Sequence, residues 1–343
     1  MKITRVGVDL AKNVFHVHGV DRTEKPVWQC RLSREKWLGA VLERVEPGCE
    51  VGMEACAGAH HWARELQSRG YTVKLMAPQF VKPYVKSNKN DMNDAEAVCE
   101  AMSRPSMRFV PVKSVVQQDI QAVHRVRTEL VSQRTAKGNQ IRGLVAEYGL
   151  VAPQQLSRLR RAIPRWLEDA ENGLSMRLRR LLDGLRDDLV VLDRRIGELD
   201  AEIEAIANSD PVAKRLQQLR GVGPLTATAL VATVGSGEQF TKGRHLAVSL
   251  GLTPKQHSTG GKERLLGISK RGDPYLRKLL VHGGRAALYA ARNKDDPLSQ
   301  WAKNLAARSH PNVAAVAWAN KTARIAWAMI RHGGDDQPER GAN

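Results

Sequence analysis

The feature that most constrains this chain is a change in the period of its apolar residues about a third of the way along. Residues 3–9 (ITRVGVD), 14–20 (VFHVHGV) and 26–32 (PVWQCRL) are β-rich runs separated by turn-prone Lys12-Asn13 and residues 21–25, the pattern of an antiparallel meander. Helical spacing of Trp37, Leu38, Val41 and Leu42 predicts a helix over 33–45, capped by Ser33 with Glu35 in its first turn. A short strand over 50–54 is followed by a helical stretch over 60–69, a stop at Gly70 and an apolar run over 71–76 ended by Pro78. The order β-β-β-α-β-α-β predicts a mixed α/β sheet rather than a helical bundle or a sandwich.

From 115 to 148, and again from 156 to 206, the spacing becomes heptad-like, dense in Arg and Glu and poor in strand formers. In the second stretch Leu178, Leu181, Leu182, Leu185, Leu189, Leu192, Ile196 and Leu199 keep one stripe apolar. Two long helices in a coiled-coil hairpin are expected, acting as a spacer or a dimerisation arm. After Asn208-Ser209-Asp210-Pro211 the chain is again mainly helical, with Gly-rich interruptions. The expected organisation is therefore an α/β domain over 1–112, a long-helix coiled-coil connector over 113–209, a mainly α domain over 210–332 and a disordered tail over 333–343.

Lys plus Arg total 54 against 36 Asp plus Glu, a formal charge of +18, which calls for a polyanionic partner. Nucleic acid is favoured over a membrane, because no window approaches the ~18 consecutive apolar residues of a spanning helix. The start MKITRVGVDLAKN has no secretory apolar region, so a cytoplasmic, nucleoid-associated protein is expected. Cys30, Cys49, Cys56 and Cys99 form no CxxC pair and are expected to be buried, reduced thiols. Aromatic content of 5% favours phosphate contacts over rows of stacked bases.

Asp9 ends the first strand in VGVDLAKN, where an apolar run meets small residues, although Asp is a poor strand former. Glu54 repeats the pattern at the end of the fourth strand, in EVGMEACAG. Asp91 and Asp94 lie at i and i+3 in NDMNDAE, opening a helix on one face. Acids there also suit a helix dipole, with Asp91 as cap. Taken together, hard oxygen ligands from two strands and one helix are what Mg²⁺ chemistry on phosphodiesters requires.

Two stretches of the C-terminal region suit phosphate. Leu219-Arg220-Gly221-Val222-Gly223-Pro224 reads as helix, GxG turn, helix, in which Gly221 and Gly223 let backbone N–H groups approach a phosphate; a plain tight turn between helices reads equally well. The run 251–278 carries seven Lys or Arg against two acids and is expected to be a DNA-wrapping loop. In it Lys255, Thr259, Gly260, Gly261, Lys262, Arg264, Lys270, Arg271, Arg277 and Lys278 are candidate nucleic-acid contacts. Ser258 sits among them as a hydroxyl that either holds a phosphate or attacks one.

VGVDLAKN, MEACAGAHHWARELQSRGY and KNDMNDAEA closely resemble the RNase H-like (RuvC-like) domain of the DEDD transposases of IS110 and IS1111 insertion sequences, relatives of the Piv invertases. GLTPKQHSTGGKERLLGISKRGDPYLRKLL resembles the C-terminal transposase domain of the same family. The resemblance implies a RuvC-like sheet in which Asp9, Glu54, Asp91 and Asp94 bind Mg²⁺ (or Mn²⁺) and Ser258 forms a phosphoserine link to DNA. It also implies double-stranded DNA of element ends and target as substrate, a structured guide RNA, and a tetramer built from dimers. Two other classes stay open on the residues alone. One is a metal-only, junction-resolvase-like endonuclease in which Ser258 only binds phosphate. The other is a nonenzymatic nucleic-acid scaffold.

Overall fold

A computed structural model describes residues 2–86 and 90–333, so most of the expected tail, from residue 334 on, lies outside the described residues. The chain divides into two compact units that meet at Val115 and Val116.

The first unit is the α/β one. Its strands and helices are β1 (Arg5–Leu10), β2 (Val14–Val20), β3 (Pro26–Ser33), α1 (Trp37–Arg44), β4 (Glu50–Glu54), α2 (Ala59–Gln67), β5 (Thr72–Met76), the short α3 (Pro78–Val81), α4 (Asp91–Ala101) and β6 (Phe109–Val110). The sheet order is β3-β2-β1-β4-β5-β6, with β1–β4 and β4–β5 parallel and the other neighbours antiparallel. A mixed six-stranded sheet of this order agrees with the RNase H-like expectation. Ser33 ends β3 instead of capping a helix: it pairs with Val14, and α1 starts four residues later with no side-chain cap.

Strand alternation sorts the side chains onto two faces. Val6, Val8, Val51 and Met53 join Phe15, Trp37 and Trp62 in one core, where the three rings make edge contacts at 5.1–5.6 Å. The opposite face of β1 and β4 is opened by glycine. Gly7 and Gly52 are register partners, and a Cβ on Gly7 would come within 2.5 Å of the Cys99 nitrogen and closer still to the Ala95 carbonyl oxygen. The backbone of α4 therefore lies directly on the sheet. Asp9 and Glu54, each two residues beyond a glycine, project on this same face.

The second unit is helical. It holds α5 (Val115–Ala146), α6 (Leu156–Glu168), α7 (Met176–Ser209), α8 (Pro211–Leu216), α9 (Pro224–Val234), α10 (Gly243–Ser249), a hairpin of β7 (Pro254–Gln256) and β8 (Leu265–Ile268), α11 (Pro274–Ala291), α12 (Pro297–Arg308) and α13 (Pro311–His332). Ion pairs Arg127–Asp200, Arg134–Asp193 and Lys137–Asp188 run in opposite sequence directions, so α5 and α7 are antiparallel. Leu130, Leu192 and Ile196 are buried between them.

The expected helix over 156–206 is broken into α6 and α7. Ser175 caps α7 by accepting from the Leu178 N–H at 3.3 Å, and Arg179 donates to the Trp166, Leu167 and Asp169 carbonyls that end α6. Leu159 and Ile163 of α6 then pack with Ile141, Val145, Leu178 and Leu182, so the apolar stripe of α7 changes partners along its length. The remaining helices surround a core of Leu216, Leu230, Leu246, Leu276, Leu280 and Ala323. His124 of α5 is 3% exposed and bridges Tyr275 Oη (2.9 Å) and Thr228 Oγ1 (3.0 Å), keying the long helix to this core. Among the described residues no helix is long and apolar enough to cross a membrane.

Candidate active site

Asp9, Asp91 and Asp94 converge: each offers a carboxylate oxygen, and these oxygens all lie within 4.8 Å of one another. The first comes from the sheet and the other two from the first turn of α4. The close seat of α4 on Gly7 makes the meeting possible. The alternative that Asp91 caps the helix does not hold: Asn90 is the cap, its side chain accepting from the Met92 N–H at 3.1 Å. Asp91 is thereby left 64% exposed in the first turn, where the helix dipole favours an anion.

Glu54 is the half-buried member of the group. Burial, and after it the charges of Asp9 and Asp94, push its carboxyl above the usual carboxylate range. Three carboxylates within ligand reach and a fourth that feels their field form an all-oxygen donor set whose repulsion a divalent cation would relieve. The carboxylates of Asp9, Asp91 and Asp94 therefore fit such an ion where they stand.

His16 was not expected here. It is the register partner of Asp9 on β2, so both side chains share the face that α4 covers. Its Nδ1 lies 3.9 Å from Asp91 Oδ2, its side chain is 14% exposed, and this nitrogen is buried with no hydrogen-bond partner among the described residues. The signal available in the sequence was the short turn at residues 11–13, which fixes the pairing once both strands are accepted. Cys56, two residues past Glu54, is half-buried and not fully buried as expected. Burial first, then Glu54 and Asp9, raise its thiol pKa, so it stays protonated. Cys30 is likewise half-buried, Cys49 and Cys99 are buried, and all four thiols are free.

The run 251–278 is not the open loop expected from its composition. Residues 254–256 and 265–268 pair as an antiparallel hairpin, Thr259 and Lys262 bridge beyond it, and Gly260 (φ +57) and Gly261 (φ +75) make the two-residue tip. Positive φ at both central residues is what a type I′ turn demands. Residues 254–267 are all exposed, including Ser258, Thr259, Lys255, Lys262 and Arg264. The Gln256 side-chain amide donates to Ser258 Oγ at 2.9 Å. His257 donates through its backbone to the Arg264 carbonyl.

At the base of the hairpin the candidate cations divide. Lys270 and Arg271 are exposed, and Lys278 lies 5.4 Å over the Tyr275 ring. Arg277 is committed inward, its Nη1 donating to the Leu250 (2.9 Å) and Arg271 (3.0 Å) carbonyls. Gly221 has φ +86 and lies on α11, where a Cβ would meet the Gly283 carbonyl carbon at 2.7 Å; Gly223 faces open space. Close packing thus explains Gly221, whereas no contact accounts for Gly223, which directly precedes α9. The acids are all on the first unit and Ser258 is on the second.

Residues 6–150 match the profile of IS110-type DEDD transposases, described as a transposase, and residues 213–299 match that of the Transposase IS116/IS110/IS902 family. A probable family 20 transposase of Pseudomonas aeruginosa is 50% identical over 331 residues, covering 96% of this chain and 97% of the relative. The transposase for insertion sequence element IS1111A of Coxiella burnetii is 46% identical over 325 residues, covering 95% and 89%. That for IS1328 of Yersinia enterocolitica is 41% identical over 333 residues, covering 96% and 98%.

Proposed function

Because the chain belongs to the IS110/IS116/IS902 family of transposases, we propose that it cuts and rejoins the double-stranded DNA of an insertion sequence with a carboxylate-held divalent ion and a serine nucleophile. The observation that carries this reading is the convergence of Asp9, Asp91 and Asp94 within 4.8 Å beside the half-buried Glu54. The first unit is read as a RuvC-like domain and the α5/α7 pair as a coiled-coil connector. Mg²⁺, with Mn²⁺ as substitute, is the ion this oxygen set prefers. When bound it would supply Lewis-acid stabilisation of charge on a transferring phosphoryl group.

The chain's own groups divide the remaining work. Asp9, Asp91 and Asp94 fix the position of the charge, Glu54 adds a fourth oxygen ligand, and the unpartnered Nδ1 of His16 orients the Asp91 carboxylate. Ser258 Oγ attacks a DNA phosphorus, its proton passing to solvent. The Oγ–P bond forms as one bridging P–O bond breaks, and the departing oxygen takes a proton from solvent, leaving a free hydroxyl end and a phosphoserine that keeps the phosphodiester's energy for rejoining. Lys255, Thr259, Gly260, Gly261, Lys262, Arg264, Lys270, Arg271 and Lys278 hold backbone phosphates near that step. A structured guide RNA and a tetramer built from dimers complete the reading.

The test is a denaturing gel of protein, element-end DNA, RNA transcribed from the element's flank and Mg²⁺. A covalent protein–DNA band is expected that is lost in Ser258→Ala and Asp94→Ala and kept in Thr259→Ala. Loss only in Thr259→Ala moves the nucleophile by one residue. Cut DNA with no adduct, still formed by both hydroxyl variants, replaces this reading with a metal-only endonuclease.

A further inference from the structure

Along the α5/α7 pair, basic side chains are matched by acids. Arg134 meets Asp193 at 3.0 Å, Lys137 meets Asp188 at 2.9 Å, Arg127 meets Asp200, and Arg186 meets Asp183 at 2.8 Å. The short helix between them departs from this rule. α6 carries Arg158, Arg160, Arg161 and Arg165, and of these Arg160 has the acidic partner, Asp193. Arg158, Arg161 and Arg165 are exposed, and among the described residues they make no ion pair or side-chain hydrogen bond.

The three are spaced i, i+3 and i+7, so they form one row along the helix. The row lies opposite Leu159 and Ile163, which are fully buried. Its first member, Arg158, is costly to the helix, whereas Arg165 stands in the last turn, where the dipole favours a cation. No acid stands in the first turn of α6 or of α7, where arginines stand instead. An arginine facing the positive end of a helix dipole loses the ~0.3–1 kcal/mol that an acid would gain there. Elsewhere the same chain follows the dipole, with Asp210, Asp273 and Asp296 capping α8, α11 and α12. The helix dipole therefore accounts for Arg165 but not for Arg158 or Arg161, and among the described residues internal pairing accounts for none of the three.

We propose that Arg158, Arg161 and Arg165 form a phosphate-backbone contact surface on α6 for a nucleic-acid strand, built from residues other than those of the carboxylate cluster and the serine hairpin. From Arg158 to Arg165 the row rises ~10 Å, the length of about three successive phosphates on one strand. A planar guanidinium suits the paired oxygens of each phosphate. A second copy of this chain fits less well as occupant. The acids of α7 nearest in sequence, Asp183, Asp187, Asp188 and Asp193, are already engaged by Arg186, Lys137, Arg134 and Arg160.

The experiment is fluorescence anisotropy of the full chain in EDTA, where binding is read without strand cleavage, so its outcome does not depend on the metal and serine chemistry. A labelled DNA duplex and a labelled RNA hairpin are titrated from 50 to 200 mM KCl. The triple variant Arg158→Gln, Arg161→Gln, Arg165→Gln is compared with wild type and with a charge-matched control, Arg22→Gln, Lys25→Gln, Lys36→Gln. Loss of three phosphate contacts lowers the slope of log affinity against log salt by about 2.7, so wild type loses ~40-fold more affinity over this salt range than the triple variant. The corresponding triple Lys variant keeps the wild-type slope, which a purely structural role for the arginines would not produce. A slope change with DNA alone, with RNA alone or with both identifies the strand and supports the proposal. A slope equal to the control's with both probes overturns it, as does a changed oligomer mass with an unchanged slope.

Discussion

Gly7→Ala tests whether the acid cluster depends on how closely α4 sits on the sheet. The new methyl would lie 2.5 Å from the Cys99 nitrogen and 2.7 Å from its Cβ. Ordinary contact needs about 3.4 Å or more, so α4 must retreat by roughly 1 Å, because a backbone nitrogen and a Cβ fixed to the backbone cannot rotate away. Overpacking of this kind costs ~1–3 kcal/mol, and the immobile partners put Gly7→Ala at the upper end. At about 4 °C per kcal/mol for a unit of this size, the melting temperature should fall by ~8–12 °C. Asp91 and Asp94 ride on the displaced helix, so Mn²⁺ binding, followed by loss of the free-ion EPR signal, should weaken as well. Gly52→Ala is the internal comparison: its methyl meets the Met102 sulfur at 2.7 Å, the flexible end of a side chain, and should cost ~1 kcal/mol or less. A Gly7→Ala protein with wild-type melting and Mn²⁺ affinity refutes the argument. So does a Gly52→Ala protein that is equally damaged.

Three further outcomes follow from the same geometry. Asp9→Asn removes one of the charges that raise the Glu54 pKa, so the metal-free protein should melt at or above the wild-type temperature. It should also lose the stabilisation of ~2.7 kcal/mol that wild type gains at 100 Kd of Mg²⁺, read by calorimetry. For His16, Asn keeps a polar group at the Nδ1 position and Gln does not. Mn²⁺ affinity should survive His16→Asn and fall ~10-fold or more in His16→Gln; equal affinities for both variants count against the orienting role. Burial, followed by the Arg127 charge, holds His124 down to about 4 from an ordinary 6.5. The unfolded chain then binds the extra proton between those values, so stability falls as pH drops from 6.5 through 4, by ~3 kcal/mol in all. Urea melts of wild type and His124→Gln should diverge over that pH window and run parallel above it.

The parts of this structure that were readable in sequence are those fixed by short-range periodicity. The meander over β1–β3 and the strand at 50–54 follow from alternation, and the long α5 from its heptads. What was missed depends on partners far along the chain. The break at 169–175 hides because the apolar stripe stays in phase on both sides of it, while the Arg179 contacts that stabilise it involve residues up to thirteen positions away. The hairpin at 254–268 hides because its strands are three and four residues long and exposed, too short to show an alternating core face. Its Gly260-Gly261 tip was the one turn signal present. Asp9 was legible because Asp at a strand end needs a reason, and Asp91 and Asp94, which meet it within 4.8 Å, because acids at i and i+3 share a helix face. His16 was not legible, because only the register with Asp9 shows that it faces the same way.

The strand-end motif held more information than the acids alone. VGVD and VGME each place glycine two residues before the carboxylate, and β1 and β4 align these glycines side by side. Alternation puts each glycine and its acid on one face. The residue that lets α4 approach and the residue that α4 must meet are thus set by a single G-x-D/E spacing, repeated on parallel neighbours. A large side chain at either glycine would leave the acids in sequence and dissolve the cluster in space. The hairpin shows the opposite arrangement, a tip with no packed face whose position depends on its base, where Arg277 ties the Leu250 and Arg271 carbonyls together. Arg277 therefore belongs with Gly7 among residues that place others, Gly7 through α4 and Arg277 through the base of the hairpin that carries the exposed Lys262 and Arg264. Substituting Arg277 should change where the Ser258 hydroxyl is presented, while leaving the number of exposed cations around it unchanged.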